Sequence, residues 1–255
     1  MTAPAFEIVC EIEPATRPDL KRVRHQIGVL APVADAFLVP DNHIGRATVS
    51  SVAVAHEVGA MGARAIACLN ARDRNVLGLR RDLLTAAAYG VDEFLCVYGD
   101  RPAVGARVEQ LSVRDMIREV RTFDAGREFR VAVASGLRPL PAWKQEADAC
   151  FAQIGFDLDA LFRWRDELTF AGRVYAGVIV LASPGMARKL SGDLRDVVVP
   201  DAMFDRLDRE PRAGVEIACD FVDAIRESGA FDGVHLIPVG RYRETAALLE
   251  ARRGA

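Results

Sequence analysis

Eight short apolar runs alternate along this chain with longer segments of helical periodicity, and this alternation constrains the fold more than any other feature of the sequence. The runs are rich in Val, Ile, Leu, Phe and Cys, as is typical of parallel strands buried on both faces. Eight strands within 255 residues, each followed by a helix, have the number and length of a (β/α)8 barrel. We therefore predict a single α/β barrel domain over residues 1–255. The predicted strands are 6–12, 36–39, 64–69, 93–98, 129–134, 149–153, 174–181 and 233–238.

The helical segments differ in how clearly they are marked. Between the fifth and sixth strands, the proline-rich stretch 135–141 leaves only 142–147 for a helix, so we predict a thin wall of the barrel there. Elsewhere no shift in composition or linker marks a domain boundary. The predicted helices are 48–60, 75–89, 113–121, 157–171, 187–190, 202–207, 215–227 and 244–252.

Charge and hydropathy limit the partners of this chain. The net charge of −3 lacks the basic excess of a general nucleic-acid binder, although small anionic ligands remain open. Residues 1–5 are too short and too neutral for a signal peptide, and no apolar run approaches the roughly 20 residues that span a bilayer. We therefore predict a cytoplasmic protein with neither a nucleic-acid nor a membrane partner.

Familiar cofactor and catalytic motifs are missing from the sequence. It contains no G-x-G-x-x-G, Walker, H-E-x-x-H or G-x-S-x-G pattern, and its four histidines lack metal-ligand spacing. We interpret His235 as a wall residue of the barrel and 72–74 as a solvated charged face, with phosphate binding as the alternative for 72–74. No two cysteines are spaced as C-x-x-C, which favours packing roles for Cys10, Cys68, Cys96, Cys150 and Cys219.

Polar residues stand where three of the predicted strands end. Glu11 shares a strand face with Val9 and Glu13, Asp100 follows the fourth strand, and Gln153 ends the sixth. In a (β/α)8 barrel these ends surround the active site, so Glu11, Asp100 and Gln153 are expected to converge over one cavity. The alternative is that Glu13 and Asp100 are helix caps or solvated loop acids.

Several stretches, in the right order along nearly the whole chain, resemble the methylenetetrahydrofolate reductases, and most closely the bacterial branch found alone or fused to homocysteine methyltransferase. The third and fourth β/α units carry the densest match. In the first and second units the matching residues are 11–15, 41–42, Arg46 and 49–50. In the third and fourth units they are 67–75, Leu79, 82–84, Gly90 and 97–100. Later in the chain they are 147–148, Gln153, 156–157, 199–201, 214–218, 233–235 and 240–242.

The resemblance implies reduction of 5,10-methylenetetrahydrofolate to 5-methyltetrahydrofolate, with FAD relaying hydride from NADH or NADPH. It places Glu11 at the acid that opens the imidazolidine ring, Asp100 at the carboxylate beside flavin and pterin, and Gln153 at the amide that binds the folate. Protonating N10 releases an iminium at N5, and the neighbouring Val9 and Cys10 would favour a protonated Glu11. The residues implied to contact the cofactor are Cys68, Asn70, Tyr98, Gly99, Asp100 and Ser135.

The chain departs from the family pattern mainly around the flavin. Cys68 replaces a flavin-contacting histidine, Tyr98 replaces a residue that is often arginine, and Pro184 stands where some members have a stacking phenylalanine. The stretch 135–147, which holds FAD in the family, is shorter here. These departures predict that FAD binds weakly, binds in a different way or does not bind at all.

Three alternatives follow. The first is a flavin-independent reductase, in which reduced nicotinamide delivers hydride directly to the iminium. The second is a folate-binding accessory barrel whose redox centre belongs to a partner subunit, and a homo-oligomer is also compatible with the sequence. The third is a metal-assisted barrel lyase that would use Glu11, Glu13 and Asp100. The leading interpretation includes no metal.

Overall fold

Eight parallel strands close into a barrel in chain order in the computed structural model, which describes residues 5–193, 197–210 and 212–254. Val9 of the first strand pairs with His235 of the last, and this pairing closes the ring. The predicted (β/α)8 fold is therefore confirmed. The strands are β1 Glu7–Glu11, β2 Ala36–Val39, β3 Ala65–Asn70, β4 Glu93–Val97, β5 Arg130–Ser135, β6 Ala149–Ile154, β7 Arg173–Ile179 and β8 Gly233–Ile237.

Nine α-helices surround the strands in the described ranges, and one of them is absent from the sequence prediction. This helix, α1, buries Val23, Ile27 and Leu30 but carries many charged residues and has no side-chain N-cap, which weakens its signal in the sequence. None of the described helices combines the length and apolar character needed to cross a bilayer. The helices are α1 Lys21–Leu30, α2 Ser51–Ala60, α3 Val76–Tyr89, α4 Val113–Thr122, α5 Leu158–Glu167, α6 Pro184–Asp193, α7 Asp201–Arg209, α8 Ala213–Ser228 and α9 Tyr242–Arg253.

The wall between β5 and β6 is as thin as the sequence predicts. Only a 3-10 helix, Ala142–Glu146, stands between these two strands. The indole of Trp164 on α5 donates a hydrogen bond to the carbonyl of Arg138 (2.9 Å), which ties this connection to the neighbouring helix. The β5–β6 connection therefore packs against the barrel without an α-helix of its own.

Side chains alternate between the helix-facing side and the interior of the barrel. Cys10 and Val133 pack outward against the helices, whereas Val9, Cys68 and Phe151 lie inside. Cys10 is thus on the opposite face of β1 from Glu11, so the expectation that both Val9 and Cys10 line the acid is wrong for Cys10. Because interior side chains fill the middle of the barrel, it is a packed core.

At the N-terminal end of the barrel, five inward-facing charged residues form a chain of ion pairs that we call the basal ring: Glu7, Arg64, Glu93, Arg130 and Arg173. Glu7 pairs with Arg64 and Arg173, and Glu93 pairs with Arg64 and Arg130. Burial raises the pKa of Glu7, but the bonds from Arg173 and Tyr175 and the charge of Arg64 outweigh it and lower that pKa overall. Each carboxylate of the basal ring therefore bridges two guanidinium groups.

Candidate active site at the C-terminal mouth

Glu11 and His235 face each other inside the barrel, close to the C-terminal ends of the strands, and we call this end of the barrel the mouth. Glu11 is the last residue of β1, and its Oε2 lies 3.3 Å from Nε2 of His235 on β8. The two side chains are 15% and 11% exposed. They are within ion-pair distance but lack the alignment of a hydrogen bond, so His235 Nε2 is buried without a hydrogen-bond partner in the described part of the chain. The ring of Phe151 packs edge to face against the imidazole of His235, with the ring centroids 5.6 Å apart, and this contact restricts the orientation of the imidazole.

Cys68 lies inside the barrel with the apolar side chains of Val9 and Phe151. It is close enough to Glu11 for the charge of that carboxylate to affect the Cys68 thiol. Burial, together with the negative charges of Glu11 and Asp41, raises the pKa of the Cys68 thiol well above its usual value. The thiol is therefore neutral at physiological pH and behaves as a small apolar wall next to the acid. The structure thus brings Glu11, Cys68 and His235 together.

Gln153 is presented to solvent at the mouth by a β-bulge in β6. Between the paired positions Phe151–Tyr175 and Ile154–Gly177, β6 has two residues where β7 has one. A Cβ at position 177 would lie 2.6 Å from the carbonyl oxygen of Ala152, so the bulge requires glycine there. The Gln153 side-chain oxygen accepts the backbone N–H of Ile154 (3.1 Å), which orients the carboxamide.

Asp100 lies on the loop after β4, at the rim of the mouth, and is tied to the loop after β2. Its Oδ2 accepts the backbone N–H of Ile44 (3.0 Å). Ile44 has a φ of 55°, a conformation that is rare and costly for a β-branched residue. Gly45, with a φ of 69°, packs so closely that a Cβ would be 2.0 Å from the Arg101 carbonyl oxygen. Asp100 is exposed, as the alternative for strand-end acids supposed, and it also holds these two loops together.

Asn70 belongs to a buried polar network beside the mouth. Its Nδ2 donates to Asp41 (2.6 Å) and its Oδ1 accepts the backbone N–H of Asp73 (3.0 Å). Arg74 pairs with Asp41 and, at 2.8 Å, with Asp82. Both ends of the Asn70 amide are thus engaged within the protein, and its contact with a cofactor stays a prediction.

Arg72 is buried, so the expected solvated face at 72–74 is wrong. Its side chain is 1% exposed and makes a bidentate pair with Asp73 (2.8 Å for both bonds). The hydrogen bond from Arg72 lowers the pKa of Asp73 to about 2. The Nη1 of Arg72 is buried with no hydrogen-bond partner among the described residues. Charge alternation in the sequence cannot distinguish this buried pair from a surface one.

Three further residues, Tyr98, Gly99 and Ser135, are also predicted to contact a cofactor. Tyr98 is 44% exposed, with the guanidinium of Arg107 over its ring (5.4 Å). Gly99 has a φ of 93°, and a Cβ there would lie 2.9 Å from Cβ of Asn70. Ser135 is buried on the helix-facing side of β5, where its hydroxyl donates to the carbonyl of Gly136 (2.8 Å).

The third alternative, a metal-assisted lyase, gains no geometric support. Among the described residues, no group of three or more His, Cys, Asp or Glu side chains is placed to hold a metal ion. The carboxylate of Glu13 pairs with Arg22, outside the barrel interior. Glu11, Glu13 and Asp100 are thus engaged separately.

His235 is the site residue that sequence reasoning missed. Alternation along β8 does place it on the same face as Gly233 and Ile237. Its position beside Glu11 depends on closure of the barrel, which makes the first and last strands neighbours. Residues 235 and 11 could therefore have been paired once the closed fold was predicted.

Comparison with known proteins shows the fold and no family. No family model matches this chain, and no curated protein matches it. Among solved structures, an uncharacterized protein from Clostridium thermocellum that binds two copies of 5-methyl-5,6,7,8-tetrahydrofolic acid is similar with a TM-score of 0.67 and 9% identity, over 99% of this chain and 96% of that one. An EDTA monooxygenase from Chelativorans sp. BNC1 aligns with a TM-score of 0.56 and 10% identity (98% and 94% covered). A 2,3-dimethylmalate lyase aligns with a TM-score of 0.53 and 10% identity (98% and 82% covered).

Proposed function

We propose that this chain reduces 5,10-methylenetetrahydrofolate to 5-methyltetrahydrofolate, with hydride from NADH or NADPH and with Glu11 as the acid. The observation that carries the proposal is the Glu11–His235 pair: a largely buried carboxyl at the mouth of a (β/α)8 barrel, with a histidine as its neighbour. Support for the substrate class comes from the sequence resemblance and from the structural neighbour that binds 5-methyltetrahydrofolate.

The first step in this proposal is proton transfer from the Glu11 carboxyl to N10 of the folate. The bond between N10 and the bridging carbon then breaks, and its electron pair stays on N10, which leaves an iminium at N5. His235, 3.3 Å away, lies where it would stabilise the carboxylate that remains. Solvent then returns the proton to Glu11.

The second step is addition of hydride from the reduced nicotinamide to the iminium carbon, which becomes the methyl group while the nicotinamide is oxidised. Asp100, at the rim of the mouth, would stabilise the cationic iminium through its negative charge. The carboxamide of Gln153 would pair with the pterin edge, because an amide both donates and accepts hydrogen bonds. The bulge in β6, which lies opposite Gly177 of β7, sets the position of Gln153.

The residues that the resemblance assigns to FAD do not fit a flavin site. The Asn70 amide is engaged by Asp41 and Asp73, and the Ser135 hydroxyl is bonded to its own loop. The β5–β6 connection has only a 3-10 helix, and the ammonium of Lys144 in this segment donates to the carbonyl of Ala134 (2.5 Å). We therefore propose that hydride passes directly from the reduced nicotinamide to the folate iminium, without FAD.

The proposal is tested by turnover of the purified chain. The protein is incubated with 5,10-methylenetetrahydrofolate and NADH or NADPH, without added flavin, and 5-methyltetrahydrofolate is quantified by mass spectrometry. Catalytic formation of this product is expected. A metal chelator added to a parallel reaction is expected to change nothing, whereas loss of activity would favour the metal-assisted alternative.

A folate-binding protein without redox activity is the second candidate, and the neighbour that binds 5-methyltetrahydrofolate favours it. Saturable binding of 5-methyltetrahydrofolate without turnover by either nicotinamide would support this candidate over the reductase. Absence of both binding and turnover would overturn the folate assignment altogether.

A further inference from the structure

The basal ring is an alternating chain of charges with one gap. Around the base of the barrel the order is Arg173 on β7, Glu7 on β1, Arg64 before β3, Glu93 on β4 and Arg130 on β5. An arginine stands at each end of this chain, so three cations face two anions. The remaining inward position between the two terminal arginines is Ala149 on β6, which pairs with Ala132 on one side and with Arg173 on the other. The ring thus lacks an acid where β6 passes between two arginines.

A cavity of about 100 Å³ lies at this gap. Its lining includes Arg130, Ala149 and Arg173, together with two acidic residues, Glu93 and Asp148. One water needs only roughly 10–15 Å³ of such space, so the cavity accommodates a larger occupant. Arg130 is 59% exposed, which leaves the cavity open to solvent at the base of the barrel.

The arginines at the gap retain unused hydrogen-bonding capacity. The Nε of Arg173 is buried with no partner among the described residues. Of the two carboxylates that line the cavity, Glu93 already bridges Arg64 and Arg130. Asp148 accepts the backbone N–H of Val131 (2.7 Å) and pairs with Arg121 (2.8 Å). Its charge is therefore held by Arg121, and it leaves the ring open.

We propose that the gap in the basal ring binds a small inorganic oxyanion of phosphate size. Guanidinium groups recognise oxyanions through charge-assisted hydrogen bonds, and a monoanion between Arg130 and Arg173 would balance the three arginines and two glutamates of the ring. The site lies at the opposite end of the barrel from Glu11, so it is independent of the proposed reaction. Bound anion would stabilise the folded chain by mass action.

The test is calorimetric titration of the whole chain with inorganic phosphate at constant ionic strength, together with the thermal unfolding midpoint. The wild type is expected to bind one phosphate, and Arg130→Gln to bind at least tenfold more weakly. Arg118→Gln, an exposed change on α4 away from the cavity, is the matched control and is expected to bind like the wild type. Ala149→Asp places a carboxylate in the gap and is expected to abolish phosphate binding while raising the midpoint in phosphate-free buffer.

Two results would overturn the proposal. The first is no saturable heat with the wild type, which would mean that water fills the cavity. The second is equal binding by Arg130→Gln and Arg118→Gln, which would assign the heat to a nonspecific surface effect. Since Arg130 is exposed, its substitution leaves a folded chain to measure even if Ala149→Asp fails to fold.

Discussion

The two ends of the barrel use charged side chains in different ways. At the N-terminal end, Glu7 and Glu93 each bridge two guanidinium groups, so both carboxylates are firmly held. At the mouth, Glu11 lies 3.3 Å from His235, and among the described residues His235 Nε2 has no aligned hydrogen-bond partner. A carboxylate bonded to two guanidinium groups contributes stability, whereas a carboxylate without an aligned hydrogen bond keeps its oxygens available to a ligand. This difference supports the proposal that the base stabilises the fold and that the mouth carries the chemistry.

The largest effect is expected from Glu11→Gln, which removes the acid while preserving the shape of the side chain. Because an amide does not transfer a proton to N10, folate reduction is expected to fall about 10³-fold, with binding of 5-methyltetrahydrofolate retained. Steady-state rates and calorimetric binding measure the two effects. Glu13→Gln is the matched control, since Glu13 pairs with Arg22 away from the interior, and it is expected to react like the wild type. Equal losses in the two variants would remove Glu11 from its role.

Gly177→Ala tests whether the bulge in β6 builds the mouth. The added Cβ would lie 2.6 Å from the carbonyl oxygen of Ala152, so the strand must shift. We expect the free energy of unfolding in urea to fall by about 2–3 kcal/mol and folate binding to weaken. Gly28→Ala, a change on α1 that meets open space, is the control and is expected to be neutral or stabilising. Unchanged folate affinity in Gly177→Ala would show that the position of Gln153 does not matter.

Arg64→Gln tests the structural role of the basal ring. This change leaves Glu7 and Glu93 short of a partner each, and the free energy of unfolding is expected to fall by about 2 kcal/mol, since the side chain is only partly buried. Folate reduction by the folded variant is expected to match the wild type. A loss of activity without a loss of stability would contradict the separation between a stabilising base and a reactive mouth.

His235→Phe removes the nitrogen next to Glu11 and keeps a ring of similar shape. We expect kcat to fall about tenfold with KM little changed, because the carboxylate left by proton transfer loses its neighbour. His235→Gln, which returns a donor near the position of Nε2, is expected to recover most of the rate. If both variants lose activity only in proportion to lost stability, His235 is a packing residue.

The smallest effect concerns Asp73, whose pKa is lowered to about 2 by Arg72. A lowered pKa in the folded state contributes stability above the unfolded value, and this contribution disappears as the pH falls from about 4 toward 2. Asp73→Asn is expected to lower the unfolding free energy by about 1 kcal/mol at pH 7, and the difference from the wild type should vanish near pH 2. A difference that persists at pH 2 would indicate lost packing instead of lost charge.

Much of the fold could be predicted from the sequence because each strand is a local apolar run. The eight runs, the thin wall after β5 and the strand-end position of Glu11 all depend on neighbours along the chain. Features that depend on distant pairing could not be predicted in this way. The place of His235 beside Glu11 requires closure of β8 on β1, and the burial of Arg72 requires the loop over β3. The β-bulge that presents Gln153 depends on register with β7.

The most direct test of the proposed reaction follows the hydride itself. The purified chain is given NADH or NADPH deuterated at the transferring position of C4, together with 5,10-methylenetetrahydrofolate and no added flavin. Direct transfer predicts 5-methyltetrahydrofolate with one deuterium in its methyl group, formed by the wild type and by Glu13→Gln but not by Glu11→Gln. Product without deuterium would contradict direct transfer, because the label would then have exchanged at an intermediate carrier. No product with either nucleotide would contradict the reductase assignment.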